Sequence, residues 1–185
     1  MARTNLINSE VLVAADPLVQ LTYADMDALI TSAATNSRRR IRLCAHKTSD
    51  DRLHEMFIVH PRGIYVRPHK HENKSESMLI LQGEVDFLIL DENGLLIDVI
   101  RMSDYQSGRS FYYRSDTPIY HTLLITSDVL LFLEITNGPF NRADTVFAPW
   151  SPDGTDEDTA QQYMDTLAQA AKQFIPNADN EQMSK

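Results

Sequence analysis

His69 and His71 stand one residue apart in the stretch Gly63-Ile-Tyr-Val-Arg-Pro-His69-Lys-His71-Glu-Asn-Lys-Ser-Glu76-Ser-Met-Leu-Ile-Leu-Gln-Gly83. Side chains of an extended strand alternate between its two faces, so both imidazoles project from the same face. Two imidazoles there make half of a metal site. After a loop of Glu72 to Ser75, Glu76 opens the next strand, and an antiparallel neighbour can bring its carboxylate to the same point. His121 opens a later strand and can close the site from the opposite side. Three neutral nitrogens and one carboxylate oxygen leave positions open on a divalent ion, the arrangement of a working metal rather than a sealed structural one.

The surrounding chain reads as three zones. In residues 1–48, Thr22 is a helix N-cap with Asp25 three residues on, and Leu21 and Met26 are placed for a hydrophobic staple. Met26, Leu29, Ile30 and Ala33 then recur at helical spacing until Asn36 and Ser37 end the helix. Residues 49–152 read as successive strands: Met56 to Val59, Ile64 to His71, Met78 to Leu81, Val85 to Leu90, Leu95 to Arg101, His121 to Thr126 and Val129 to Ile135. Asp91-Glu92-Asn93-Gly94 supplies a hairpin turn, and the last two strands are expected to pair across Ser127-Asp128. Residues 153–185 carry a helical stripe of Ala160, Tyr163, Met164, Leu167, Ala171 and Phe174, stopped by Pro176, and then a polar tail from Asn177. Met78 to Leu81 and Val129 to Leu133 are apolar on both faces. One face should fill a barrel, and the other should be covered by a helix or by a second subunit of a homodimer.

Charge narrows the classes of partner. The chain of 185 residues has 26 acidic against 17 basic side chains, a formal net charge of -9. Phosphate backbones need a clustered positive field, so no nucleic-acid partner is expected. The run Arg38-Arg39-Arg40 with Arg42 is the local exception. Cys44 is the single cysteine, which leaves no intramolecular disulfide and no CxxC knuckle. No signal-like start and no long apolar run are present, so no membrane partner is expected and the reducing cytoplasm is the expected location.

The bland reading of an HxH pair is a surface or core pair, which is the commoner case. Here Gly63, His69, His71, Glu76 and Gly83 share one fixed spacing: glycine, five residues, HxH, four residues, glutamate, six residues, glycine. Chance gives that pattern in on the order of one chain in ten thousand of this length. The spacing is similar to the first motif of the cupins. The second cupin motif is degraded: Asp116, Pro118 and Ile125 stand where the family has proline, glycine and asparagine, and only His121 matches. Residues 37–46, Tyr65 to His71, Glu134 to Phe140 and Ala148 to Pro152 resemble the WbuC family of cupin-fold metalloproteins, over roughly residues 20–152. That resemblance implies a mainly β fold: a single cupin (double-stranded β-helix or jelly-roll) barrel with an N-terminal and a C-terminal helix. It also implies one divalent metal ion (Fe, Zn, Mn or Ni) held by His69, His71, Glu76 and His121, near surface-polysaccharide metabolism.

Other residues invite roles at such a site. By strand parity Tyr65 and Arg67 share the face of the two histidines, and Arg67 is placed to clamp a carboxylate or phosphate, with a rim salt bridge as the plain alternative. His46, Arg40 and Arg42 match the family pattern as a general base and an anion clamp, against a solvated charge run. Glu134 is either a partner of the metal ligands or an ordinary barrel-end charge. Three functions stay open. The first is a metal-dependent enzyme, isomerase- or epimerase-like, on a small-molecule sugar derivative, with His46, Tyr65 and Arg67 as catalytic candidates. The second is an Fe(II)-dependent dioxygenase. The third is a non-catalytic, metal-dependent carbohydrate-binding or sensing module.

Overall fold

The computed structural model describes residues 2–175; Pro176 and the polar tail expected from Asn177 lie outside them. The chain begins with strands β1 (Thr4–Asn8) and β2 (Val11–Ala14), then helix α1 (Tyr23–Thr35) and strand β3 (Ile41–Cys44). Strands β4 (Leu53–Pro61), β5 (His69–His71), β6 (Glu76–Gln82), β7 (Glu84–Leu90) and β8 (Leu96–Ser103) follow. After these come β9 (Tyr112–Ser115), β10 (Tyr120–Ile125), β11 (Val129–Asn137), β12 (Thr145–Phe147) and helix α2 (Glu157–Gln173). The fold is mainly β with two helices, as expected. Its strands form a seven-stranded sheet, β1-β2-β3-β4-β11-β6-β9, and a five-stranded sheet, β12-β5-β10-β7-β8. The N-terminal zone therefore extends the larger sheet by three strands in addition to supplying a helix.

Two-faced strands sort their apolar residues into separate cores. Met56, Ile58, Met78, Ile80, Val85, Phe87, Leu123 and Phe132 fill the space between the sheets. On the outer face of the five-stranded sheet, Leu88, Leu90, Val99 and Tyr120 pack under Met164, Leu167 and Ala171 of α2. On the outer face of the seven-stranded sheet, Ile41, Leu43, Val59 and Leu131 pack under Leu29 and Ala33 of α1. Alternation along a strand makes this possible: Val85 and Phe87 point inward while Leu88 and Leu90 point to α2. Each such buried side chain contributes roughly 1.5–3 kcal/mol.

The helix ends follow their sequence signals. The Asp25 carboxylate accepts the backbone N–H of Thr22 at 2.9 Å, the reciprocal half of a capping box, and also the backbone N–H of Ala2 at 2.7 Å. Asp156 caps α2 by accepting the N–H of Asp158 at 3.1 Å.

Two expected pairings differ from the structure. β10 and β11 flank Ser127-Asp128 but do not pair; they belong to opposite sheets. β5 and β6 are likewise in opposite sheets rather than neighbours. Connections that cross between sheets look like hairpins in sequence, because a short polar link serves both. Gly83 makes one crossing, with φ of +96° and no room for a Cβ, which would sit 2.2 Å from the Val129 carbonyl oxygen.

Candidate metal centre

The site lies between the two sheets. The three-residue strand β5 is held by β12 on one side, with Thr145 opposite His71 and Phe147 opposite His69. On the other side His69 lies opposite His121 of β10. His121 thus stands beside the histidine pair in the same sheet, and Glu76, first residue of β6, comes from the facing sheet. One ligand atom from each of His69, His71, Glu76 and His121 falls within 4.8 Å of all the others. Ligands around one ion at roughly 2.1 Å are spaced on this scale.

Each imidazole is oriented by a partner on its other nitrogen. Nδ1 of His69 is 2.8 Å from the Arg67 carbonyl oxygen, and Nδ1 of His121 is 3.0 Å from that of Ile119. Nδ1 of His71 lies 3.4 Å from Oγ1 of Thr145. The His69 and His121 contacts place the proton on Nδ1 and turn Nε2 toward the shared point, as metal-binding histidines require. His71 Nε2 is 2.6 Å from Glu76 Oε2 yet is buried without an aligned hydrogen-bond partner. Two ligands of a common ion would approach in this way. Phe87 stacks on His121, ring centroids 5.0 Å apart.

The protonation states suit a cation. Burial, and then the neighbouring His121, push His69 down to about 3; burial also lowers His121. Burial works to raise the Glu76 carboxyl, but the adjacent imidazoles and the hydroxyl of Tyr113, which donates to its Oε1, hold it below the usual carboxylate range. Neutral nitrogens beside one carboxylate are the forms that bind a metal. Tyr113 of β9 carries no spacing signal in the sequence; only the register Met78–Tyr113 between β6 and β9 brings it to Glu76.

Strand register builds a cavity of about 440 Å³ against the centre. Across β6, β11 and β4 run the rows Glu76-Thr136-His54 and Met78-Glu134-Met56, and β3 adds Cys44 beside Met56. His71 opens into this cavity, whose walls include His46, His54, Glu134, Arg42 and Lys74. His46 stacks face to face on His54 at 4.1 Å, and its Nδ1 lies 3.1 Å from the backbone nitrogen and 3.3 Å from the carbonyl oxygen of Glu55, so a proton on Nδ1 can go to that carbonyl and leave Nε2 free as a base. Burial, and then His54, lower His46. Burial, and then the charge of Glu76, raise Glu134 to about 8. Among the described residues neither Arg42 nor Lys74 forms an ion pair.

Other expected site residues point elsewhere. Ile64 and Val66 pack inward and Tyr65 packs outward under α2, so the alternation slips by one residue across Pro68 before His69 turns inward. The Tyr65 hydroxyl donates to the Pro152 carbonyl at 2.7 Å. Arg67 donates to Ser151 Oγ at 3.2 Å and to the Ala148 carbonyl at 3.3 Å, and its guanidinium lies 5.0 Å from the Phe147 ring. Both side chains therefore anchor residues 147–152, and Arg67 serves the centre through its carbonyl oxygen. Arg40 pairs with Glu10 at 2.7 Å, outside the metal cavity.

Residues 21–102 match a domain of unknown function, DUF6016. No curated protein matches the chain in sequence. Among solved structures, it is similar to oxalate decarboxylase from Bacillus subtilis, at 16% identity over 53% of this chain and 24% of that one, TM-score 0.43. CapF bound to 3-isopropenyl-tropolone is 17% identical over 58% of this chain and 30% of that one, TM-score 0.45. KdgF from Halomonas sp. is 17% identical over 56% of this chain and 82% of that one, TM-score 0.43. The match thus spans about a quarter of the oxalate decarboxylase and under a third of CapF. No helix among the described residues is long and apolar enough to cross a membrane.

Proposed function

We propose that this chain is a cupin enzyme that holds one divalent metal ion with His69, His71, Glu76 and His121 and isomerises or epimerises a small anionic sugar derivative. The observation that carries this reading is the cavity shared by His71 and two proton-carrying groups, His46 and Glu134. When bound, the ion supplies a Lewis acid that polarises a carbonyl or holds vicinal oxygens.

The chain's own residues supply the rest. Arg42 and Lys74 attract a carboxylate or phosphate and fix the substrate's orientation. His46 is neutral at pH 7, and its imidazole removes a proton from the carbon next to the carbonyl. Glu134, across the cavity, is the second group able to carry a proton, so one can be returned at the neighbouring carbon or on the other face. Ile7, Val11, Val13 and Phe140 form an apolar part of the cavity lining. The resemblance to the WbuC family supports a sugar derivative of surface-polysaccharide metabolism as the substrate.

Elemental analysis of the purified protein, then incubation with keto-sugars and sugar acids in deuterated water, tests the reading. Deuterium should enter the substrate with the wild type and not with His46→Asn, while both hold one equivalent of metal. Bound iron with O2 uptake on ligand addition would replace the isomerase by a dioxygenase. Ligand binding that is unchanged in His46→Asn, with no exchange in either protein, would replace it by a binding module.

A further inference from the structure

The larger sheet is wider than its partner, and residues of β2 and β3 line space beyond the metal cavity. A second cavity of about 510 Å³ lies there, lined among others by Glu10, Arg38, Arg40, Arg42 and His60. It shares Val11 and Arg42 with the metal cavity, so the two cavities adjoin.

Its charge is opposite to that of the whole protein. Three guanidinium groups face one carboxylate in a chain of net charge -9. Glu10 holds two of them, Arg40 at 2.7 Å and Arg38 at 3.0 Å, and Arg42 has no ion pair among the described residues. His60 adds an independent mark of a ligand: its Nδ1 is buried in the cavity wall with no hydrogen-bond partner. Leaving such a group unsatisfied costs about 1–3 kcal/mol, a cost that a bound acceptor oxygen would remove. Burial, and then Arg40, push His60 down to about 4, so at neutral pH it is uncharged and can donate from Nδ1.

Length sets the span of a ligand that would reach both ends. His54 at the metal end and His60 at the arginine end are six residues apart on β4 and point the same way, which separates them by roughly 20 Å. A single sugar ring is too short to touch both.

We propose that this arginine-lined cavity is an anion subsite that takes the diphosphate of an elongated substrate, of the nucleoside-diphosphate-sugar class, whose sugar end reaches the metal cavity. The claim about the sugar end rests on the proposed enzymatic reading; the claim about the anion does not. Guanidinium pairs match phosphate oxygens bidentately, and Glu10 acts as the placeholder that an incoming diphosphate displaces.

Calorimetric titration with inorganic pyrophosphate tests this, using the wild type, Arg40→Gln/Arg42→Gln, Glu10→Gln and His69→Ala. The double variant should bind at least tenfold more weakly. Glu10→Gln should bind at least threefold more tightly, because two arginines are released. His69→Ala, impaired at the metal centre, should stay within twofold of the wild type. Arg42→Gln alone, which breaks no ion pair, keeps the test valid if the double variant does not fold, and should weaken binding about threefold or more. Absence of binding by the wild type, unchanged affinity in the arginine variants or weakened affinity in Glu10→Gln would overturn the subsite. Loss of binding in His69→Ala would place the anion on the metal and overturn it as well. A wild type that holds no metal yet binds pyrophosphate in this pattern would refute the enzymatic reading and leave the subsite standing.

Discussion

His121 lies directly opposite His69 across the β10–β5 ladder, so one antiparallel pair places two imidazoles side by side. This position makes His121 an adjacent candidate ligand, while among the four Glu76 alone reaches across from the other sheet.

Removing either histidine should therefore have a similar effect. His69→Ala and His121→Ala are each expected to lower metal content by at least tenfold after dialysis, measured by elemental analysis with circular dichroism as the control for folding. Full occupancy in His121→Ala would make the site a three-ligand one.

Tyr113 acts through Glu76. Tyr113→Phe removes the hydroxyl donor and is expected to weaken metal affinity about 10- to 100-fold, the usual cost of losing a group that orients a ligand. Competition with a chelator reads this directly, and the fold should persist because the ring still packs on Phe87 at 4.2 Å.

Metal should stabilise the native chain. At a free concentration a thousandfold above Kd, binding adds about 4 kcal/mol, and for a chain of this size each kcal/mol moves Tm by roughly 2–4 °C. Chelation is thus expected to lower Tm by roughly 8–16 °C in a thermal scan.

The metal-free protein should lose stability in acid over a defined window. His69 and His60 have folded values of about 3 and 4, below the ordinary histidine value of 6.5. Between those limits the unfolded chain binds the extra protons, so stability falls as pH drops from about 6.5 toward 3. Glu134 has the opposite sign: its folded value of about 8 favours the native state below 4.5 and loses that contribution as pH rises through 8. Denaturant midpoints across pH should show the acid-side loss in the wild type, and Glu134→Gln should remove the decline that Glu134 contributes between pH 4.5 and 8.

The two glycines of the spaced motif should differ in tolerance. Gly83→Ala forces a Cβ to 2.2 Å from the Val129 carbonyl oxygen and is expected to cost more than about 3 kcal/mol. Gly63→Ala meets nothing within 4 Å and carries only the strain of φ +81°, about 1 kcal/mol. Urea denaturation separates the two.

Much of the site was legible because it depends on short-range periodicity. Alternation with period 2 put His69 and His71 on one face, the Thr22–Asp25 box marked the start of α1, and the stripe from Ala160 to Ala171 marked α2. Each is set by backbone geometry within a few residues. The same alternation failed for Tyr65 and Arg67, because it slips across Pro68 where no strand partner enforces the pleat. Tertiary structure alone decided that Glu76 faces the histidines from the opposite sheet, that Tyr113 touches it, and that Glu134 and His46 share one cavity. These depend on which strands pair and in what register, and that is settled by burying three apolar layers at once.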